Sequence, residues 1–241
     1  LSTRAASRTT GIVVALASEA RTLTHAAKSD SITALAGGAA LYLTGMGPAA
    51  ARRGAQALAD AGATGLAVFG VAGALSGQLR NGALFCPERV LDEDSRAYAT
   101  DSAWRASLQQ RLAPSLRMDG ALLSVASPLL TPVDKAAAHQ RCAALAVDME
   151  SAAVAAVAVE RGLPFMVLRA IVDEAGDVIP AALNGSVDAF GRPRLLPLMA
   201  ALCGHPSVLR ELPQLYSRMQ RATQALRVAA EATGPTLGWH R

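Results

Sequence analysis

Between Pro164 and Asp173 the chain reads Phe-Met-Val-Leu-Arg-Ala-Ile-Val, apolar at every place but one and without alternation. A strand of that kind has no polar face to give to water. It must be covered on both sides, as in a parallel sheet packed between helices. Gly11 to Ala15 is a second such run. Ala39 to Thr44, Gly65 to Val71 (broken by Gly70 and Gly73), Ala83 to Val90, Gly120 to Val125 and the brief Leu145 to Val147 add further strands. Helical stretches alternate with them: one capped by Ser18, then Ala49 to Ala61, Ser102 to Leu112, Pro132 to Cys142, and an Ala/Val helix from Ser151 closed by Gly162. From Pro193 onward the chain reads as helical, broken near Pro206 and Pro213. The alternation predicts a single α/β domain over residues 11–241. Its central sheet is mixed and mostly parallel, flanked by helices, with a helical C-terminal elaboration over about 190–232. Leu1 to Thr10 is small and polar, lacks an apolar signal core, and reads as a flexible start.

Composition narrows the class. A chain of 241 residues that is 51% hydrophobic and 17% charged can bury the core of one large domain and is unlike a disordered one. No apolar run approaches the ~18 residues that would span a bilayer. Cys86, Cys142 and Cys203 form no CxxC pair, which argues against a disulfide scaffold or a zinc knuckle and points to a reducing cytoplasm. A net charge of +4 without basic clusters interleaved with aromatics speaks against nucleic acid. The tail is more basic, with Arg192, Arg194, Arg210, Arg218, Arg221 and Arg227. It reads either as solvated helix faces or as a surface drawn to an anionic bilayer, which would place the protein peripheral to the inner membrane.

Open α/β sheets gather their sites at the carboxyl ends of strands. Ser18 and Glu19 follow the first strand, the Gly45-Met46-Gly47 turn the second, and Gly70-Val71-Ala72-Gly73 the third. Asp148, Met149 and Glu150 follow the strand near 147, and Asp173 and Glu174 the last. Gly45-x-Gly47-x-x-Ala50 imitates a dinucleotide fingerprint, yet the next strand ends without the acid that would hold a ribose, so a dehydrogenase is disfavoured. No G-x-S-x-G elbow and no Walker loop occurs. Glu150 can cap a helix or accept two sugar hydroxyls, Asp173 can be a surface acid or a functional one, and Asp148 reads as structural. His25, His139, His205 and His240 match no ligand spacing.

Val147-Asp148-Met149-Glu150-Ser151-Ala152-Ala153, followed about twenty residues later by Leu168-Arg169-Ala170-Ile171-Val172-Asp173, resembles the nucleoside phosphorylase/nucleosidase superfamily. That family carries V-[ED]-M-E-x-x-[AS] and then V-R-x-I-S-D. Gly70-Val71-Ala72-Gly73-Ala74-Leu75 is similar to its G-x-[AC]-G-x-[LI] turn, and Thr44-Gly45-Met46-Gly47 to its [ST]-G-[IM]-G turn. Leu16-Ala17-Ser18-Glu19 is similar to the start of the methylthioadenosine nucleosidase branch. Ala-rich helices and the segment Ser186 to Pro193 resemble the hopanoid-associated phosphorylases, thought to release adenine from adenosylhopane.

The resemblance implies a role for each residue. Asp173 protonates the departing base, and Glu19 positions the attacking water. Glu150 grips the ribose, with Met149 packing beneath it. The turns Gly45, Met46, Gly47 and Gly70, Val71, Ala72, Gly73 line the nucleophile pocket with amides, and Arg169 orders the loop beside the acid. It implies no cofactor and no metal, a small nucleoside substrate with a lipid-linked 5′ group, and a homo-oligomer. Val68 and Val71 replace the Arg and Ser that bind phosphate in many relatives, and Val172 replaces the Ser before the acid. Phosphate and water therefore both stay open as nucleophile, with Arg52, Arg53 or Arg80 as substitute cations and Phe165 or Phe190 as stacking partners. A methylthioadenosine/adenosylhomocysteine-type nucleosidase and a non-catalytic nucleoside-binding module are the alternatives.

Overall fold

The computed structural model describes residues 9–180, 188–192 and 208–239. In chain order the elements are β1 (Thr10–Val14), α1 (Ala17–Leu23), β2 (Ile32–Ala34), β3 (Ala39–Leu43), α2 (Pro48–Asp60), β4 (Gly65–Ala74), β5 (Leu84–Phe85), β6 (Arg89–Leu91), β7 (Ala97–Ala99), α3 (Ser102–Leu112), β8 (Leu116–Arg117), β9 (Ala121–Ser124), α4 (Pro132–Cys142), β10 (Ala146–Asp148), α5 (Ser151–Arg161), β11 (Phe165–Asp173) and α6 (Val208–Thr233). All the strands join one sheet, ordered β2-β3-β1-β4-β10-β9-β6-β7, with β11 on β4 and leading on through β5 to β8. Parallel pairs predominate (β1 with β3 and β4, β11 with β4, β9 with β6 and β10), so the architecture is the mixed, mostly parallel one expected.

The central strands bury both faces because successive side chains point to opposite sides. Ile12, Val14, Phe69, Met166 and Leu168 go to the face covered by α1, α3 and α6. Val13, Leu66, Val68, Val167 and Ile171 go to the face covered by α2 and α5. A third, smaller cluster joins β9 and β10 to α4 through Leu123, Val147 and Ala138.

Several boundaries differ from the sequence reading for local reasons. Thr10, expected in the flexible start, is the fully buried first residue of β1, and the Thr9 amide donates to the Thr64 hydroxyl. α1 begins at Ala17 with Leu16 as its cap residue. Ser18 lies inside it, and the Leu16 amide is satisfied by the Glu19 carboxylate, a half capping box. β4 runs unbroken through Gly70 and Gly73, because β11 pairs with both of them. The run 83–90 divides into β5 and β6, which serve different neighbours, β11 and β9. Edge strands β2, β7 and β8 are two or three residues long, too short for a periodic pattern. α6 continues past Pro213, which sits in its second turn and removes a single backbone donor. The break expected near Pro206 lies outside the described residues. Among the described residues no helix is long and apolar enough to cross a membrane.

Candidate active site

The sheet forks at β4. Its lower half, Gly65 to Val68, pairs with β1, while its upper end, Gly73 and Ala74, pairs antiparallel with β10. Along that edge the middle of β4 has no strand beside it. The gap is a switch point of the kind where α/β folds form clefts. A cavity of about 150 Å³, open to solvent, sits there, lined by Ala15, Leu16 and Glu19 on one side and Val147 to Glu150 on the other, with Asp173 at the end of β11.

Glu19 fills the gap in the ladder. Its Oε1 accepts from the Val71 amide at 2.7 Å and its Oε2 from the Leu16 amide at 2.8 Å. A Cβ on residue 70 would lie 2.5 Å from Glu19 Oε1 and 2.7 Å from an Arg169 nitrogen, so only glycine fits at that position. The Glu19 carboxyl is 1% exposed. Burial pushes its pKa up to about 7, against the pull of Arg169 and the two amides.

Glu150 stands at the start of α5 but does not cap it. Asp148 does, accepting from the amides of Glu150 at 3.3 Å and Ser151 at 3.2 Å and from the Ser151 hydroxyl. Glu150 is thereby free to reach across to the Gly47 amide at 3.0 Å and the Arg169 guanidinium at 3.1 Å. Arg169 is fully buried, donates to Asp148 through Nε at 3.0 Å and also through Nη2, and so serves two carboxylates. Burial raises the Glu150 pKa, Arg169 opposes the rise, and Asp148 adds to it.

Asp173 ends β11 after a register shift between Ile171 and Asp173 against β4. That irregularity re-aims the strand end. Its carboxylate lies over Gly73, where a Cβ would come within 2.9 Å of Oδ2. The Lys135 ammonium, on α4, donates to Oδ2 at 2.5 Å. Burial raises the Asp173 pKa, and Lys135 draws it back.

Of the residues singled out from sequence, Glu19, Met46, Val71, Ala72, Gly73, Met149, Glu150 and Asp173 line the cavity. Gly45, Gly47, Gly70 and Arg169 stand behind it. Two expectations need correction. Three of the turn amides are not free: the Gly47 amide goes to Glu150, the Met46 amide to the Ala189 carbonyl at 2.7 Å, and the Val71 amide to Glu19. Arg169 does not order the loop beside Asp173. It reaches Asp148 and Glu150 instead, and Lys135 tends the acid. Arg52 and Arg80, considered as substitute cations, form exposed ion pairs with Glu160 and Glu174, and Phe165 lies in the core at the far end of β11. Phe190 packs on the core and carries the Arg192 guanidinium over its ring.

Sequence reasoning missed Lys135. Only Lys28 and Lys135 are lysines among the 23 basic residues. A cation in the first turns of a helix also runs against the helix dipole. Both were visible signs that residue 135 answers to something outside its own helix.

The family profile described as the phosphorylase superfamily matches residues 13–192. The chain belongs to that superfamily. No curated protein matches its sequence. Solved structures show the same fold. The methylthioadenosine/adenosylhomocysteine nucleosidase of Neisseria meningitidis, in complex with methylthio-immucillin-A, has a TM-score of 0.69 at 17% identity over 94% of this chain and 98% of that one. The corresponding nucleosidase of Colwellia psychrerythraea, in complex with adenine, has a TM-score of 0.68 at 18% identity over 96% and 95%. The futalosine hydrolase of Helicobacter pylori has a TM-score of 0.65 at 19% identity over 92% and 97%.

Proposed function

We propose that the protein cleaves the N-ribosidic bond of a purine nucleoside with water as the nucleophile, releasing adenine from a 5′-substituted adenosine such as adenosylhopane. The observation that carries this reading is the meeting of Glu19, Glu150 and Asp173 in one cavity at the fork of β4. Breaking such a bond leaves positive charge on the sugar and negative charge on the base. Asp173 gives a proton to the base as the bond opens, and Glu19 takes one from the incoming water. Glu150, anchored by Gly47 and Arg169, accepts the sugar hydroxyls, with Met149 beside it.

Charge favours water over phosphate. The cations at the cavity, Arg169 and Lys135, are already engaged by Asp148, Glu150 and Asp173. The amides of Met46, Gly47 and Val71 are taken by protein acceptors. A phosphate dianion beside Glu19 and Glu150 would meet carboxylates where those donors are already used. Pro128, Leu129, Val172 and Ile179 flank Asp173 and offer apolar walls to a flat purine. Leu16 and Met46 adjoin Glu19 and Glu150, where the sugar's 5′ group would leave the site. Met46 is 38% exposed, so the group there need not be small. A short 5′ thioether is the second reading, favoured by the fold shared with methylthioadenosine nucleosidases.

The test incubates the protein with methylthioadenosine and with adenosylhopane across phosphate concentrations and follows free adenine and the sugar product. Adenine released at a rate independent of phosphate, with the free sugar beside it, is expected. Asp173→Asn should slow release by about 10²–10⁴-fold. Release that requires phosphate refutes the water mechanism, and no adenine from either substrate refutes the activity.

A further inference from the structure

Lys135 is the least exposed charged residue at the site, with 0% of its surface accessible against 1% for Arg169 and Glu19. α4 brings it there: Thr131 caps the helix by accepting from the Asp134 amide at 3.2 Å, Pro132 takes the first helical position, and Lys135 follows one turn on, facing inward. Its three ammonium protons meet three acceptors: Asp173 Oδ2 at 2.5 Å, the Glu174 carbonyl at 2.9 Å and the Asp177 carbonyl at 3.1 Å. A compact tetrahedral donor fits that set, whereas the planar fork of arginine does not. In a chain that otherwise uses arginine almost throughout, this is a reason for lysine here.

The other charges around Asp173 are mutually satisfied. Asp177, on the segment after β11, pairs with Arg218 of α6 at 2.6 Å, and Glu174 pairs with Arg80 at 2.8 Å. Lys135 is left as the partner of Asp173. With Oδ2 held, Oδ1 accepts no hydrogen bond among the described residues, and Asp173 lines the cavity.

We propose that Lys135 is a positioning residue for bond cleavage: it fixes the Asp173 carboxyl with one oxygen free for the leaving base and balances the charge left there once the proton is given. The inference rests on the reading of Asp173 as proton donor. In the step, the Asp173 proton passes to the base and the C–N bonding pair departs with it. The water oxygen bonds to the sugar carbon and loses a proton to Glu19. The carboxylate formed at Asp173 faces an ammonium already in place, so no unpaired anion is left in a buried site. Afterwards Glu19 returns its proton to solvent and Asp173 regains one.

The test is the pH profile of adenine release from methylthioadenosine by wild type, Lys135→Met, Lys135→Arg and Asp173→Asn. For Lys135→Met, kcat should fall about 10²-fold with KM within about threefold, because the carboxyl becomes a weaker acid. The alkaline limb of kcat should move upward by about one to three pH units, since Asp173 without its cation keeps its proton longer. Lys135→Arg keeps the charge but not the tetrahedral fit, so it should return the limb toward its wild-type position while kcat stays below that of wild type. A wild-type limb in Lys135→Met, or a limb equally displaced in Lys135→Arg, overturns the role of Lys135. Wild-type turnover by Asp173→Asn overturns the reading of Asp173 instead, so the two failures are distinguishable. A measurement on the unaltered protein stands beside these variants. With lysine nitrogens labelled, Lys28 is exposed and Lys135 buried, so the slowly exchanging ammonium signal belongs to Lys135. It should shift when adenine binds, and a signal indifferent to adenine overturns the proposal even where Lys135→Met does not fold.

Discussion

Glu19→Gln tests whether one carboxyl serves both the fold and the chemistry. The folded protein raises the Glu19 pKa from 4.5 to about 7. Between those values the folded state holds a proton that the unfolded chain has lost. Stability from this group is therefore complete below pH 4.5, falls as pH rises, and is gone above the folded value. Integrated from pH 5 to pH 8, the ionisation of Glu19 removes about 2.5 kcal/mol. Nearly full burial means that little solvent screening discounts this figure. Glutamine is isosteric but does not titrate. One of its two ends is an NH₂ facing a backbone donor, either Val71 or Leu16, so the variant starts about 1–3 kcal/mol less stable in acid. The decisive quantity is the difference in slope, not the offset. Urea unfolding of both proteins at pH 5 and pH 8 measures it. Asp173, whose pKa is also raised, contributes equally to both and cancels, whereas Glu150 shares Arg169 with Glu19, so the difference in slope reads the two carboxyls together. Wild type should lose about 2.5 kcal/mol more than the variant across that interval. Parallel pH dependences would refute the argument that burial holds Glu19 protonated. In wild type, kcat/KM should rise through pH 7 as the base becomes available, over the range where stability declines.

Two further outcomes follow from the charge cluster. Glu150→Gln removes the anionic acceptor proposed for the sugar hydroxyls and should raise KM about 10-fold or more with a smaller change in kcat, measured by steady-state adenine release. Arg169→Met strips the shared cation from Asp148, Glu150 and Glu19 and should cost about 3–5 kcal/mol in chemical denaturation, more at pH 8 than at pH 5 because the stranded carboxylates ionise.

What the sequence disclosed and what it hid can be separated by the range of the interactions involved. β1 and β11 announce themselves through unbroken apolar runs and β4 through a shorter run that reads as broken at its glycines, while α3 and α4 start where expected, after Asp101 and Thr131, which cap them. The acidic residues at strand ends were visible because topology sends strand ends to one side of the sheet. The roles within the cluster were not, since they depend on pairs far apart in the chain. Glu19 meets Val71, Gly47 meets Glu150, and Lys135 meets Asp173, each across at least 38 residues. The glycine turns mislead for the same reason. Gly70 and Gly73 look like anion loops in sequence, yet their missing side chains make room for carboxylates arriving from α1 and β11. Short edge strands such as β8 exist only because a neighbour is there to pair with.

The forked sheet has an evolutionary consequence. At the seam where β1 departs and β10 has yet to arrive, a side chain does the work of a missing strand. Under the proposed water mechanism, a descendant that abandons that chemistry cannot simply discard the acid at position 19, because the backbone of β4 would be left with an unanswered donor. Specialisation toward another nucleophile would have to replace the suture and the reagent in the same move, which tends to hold such a lineage to its present chemistry.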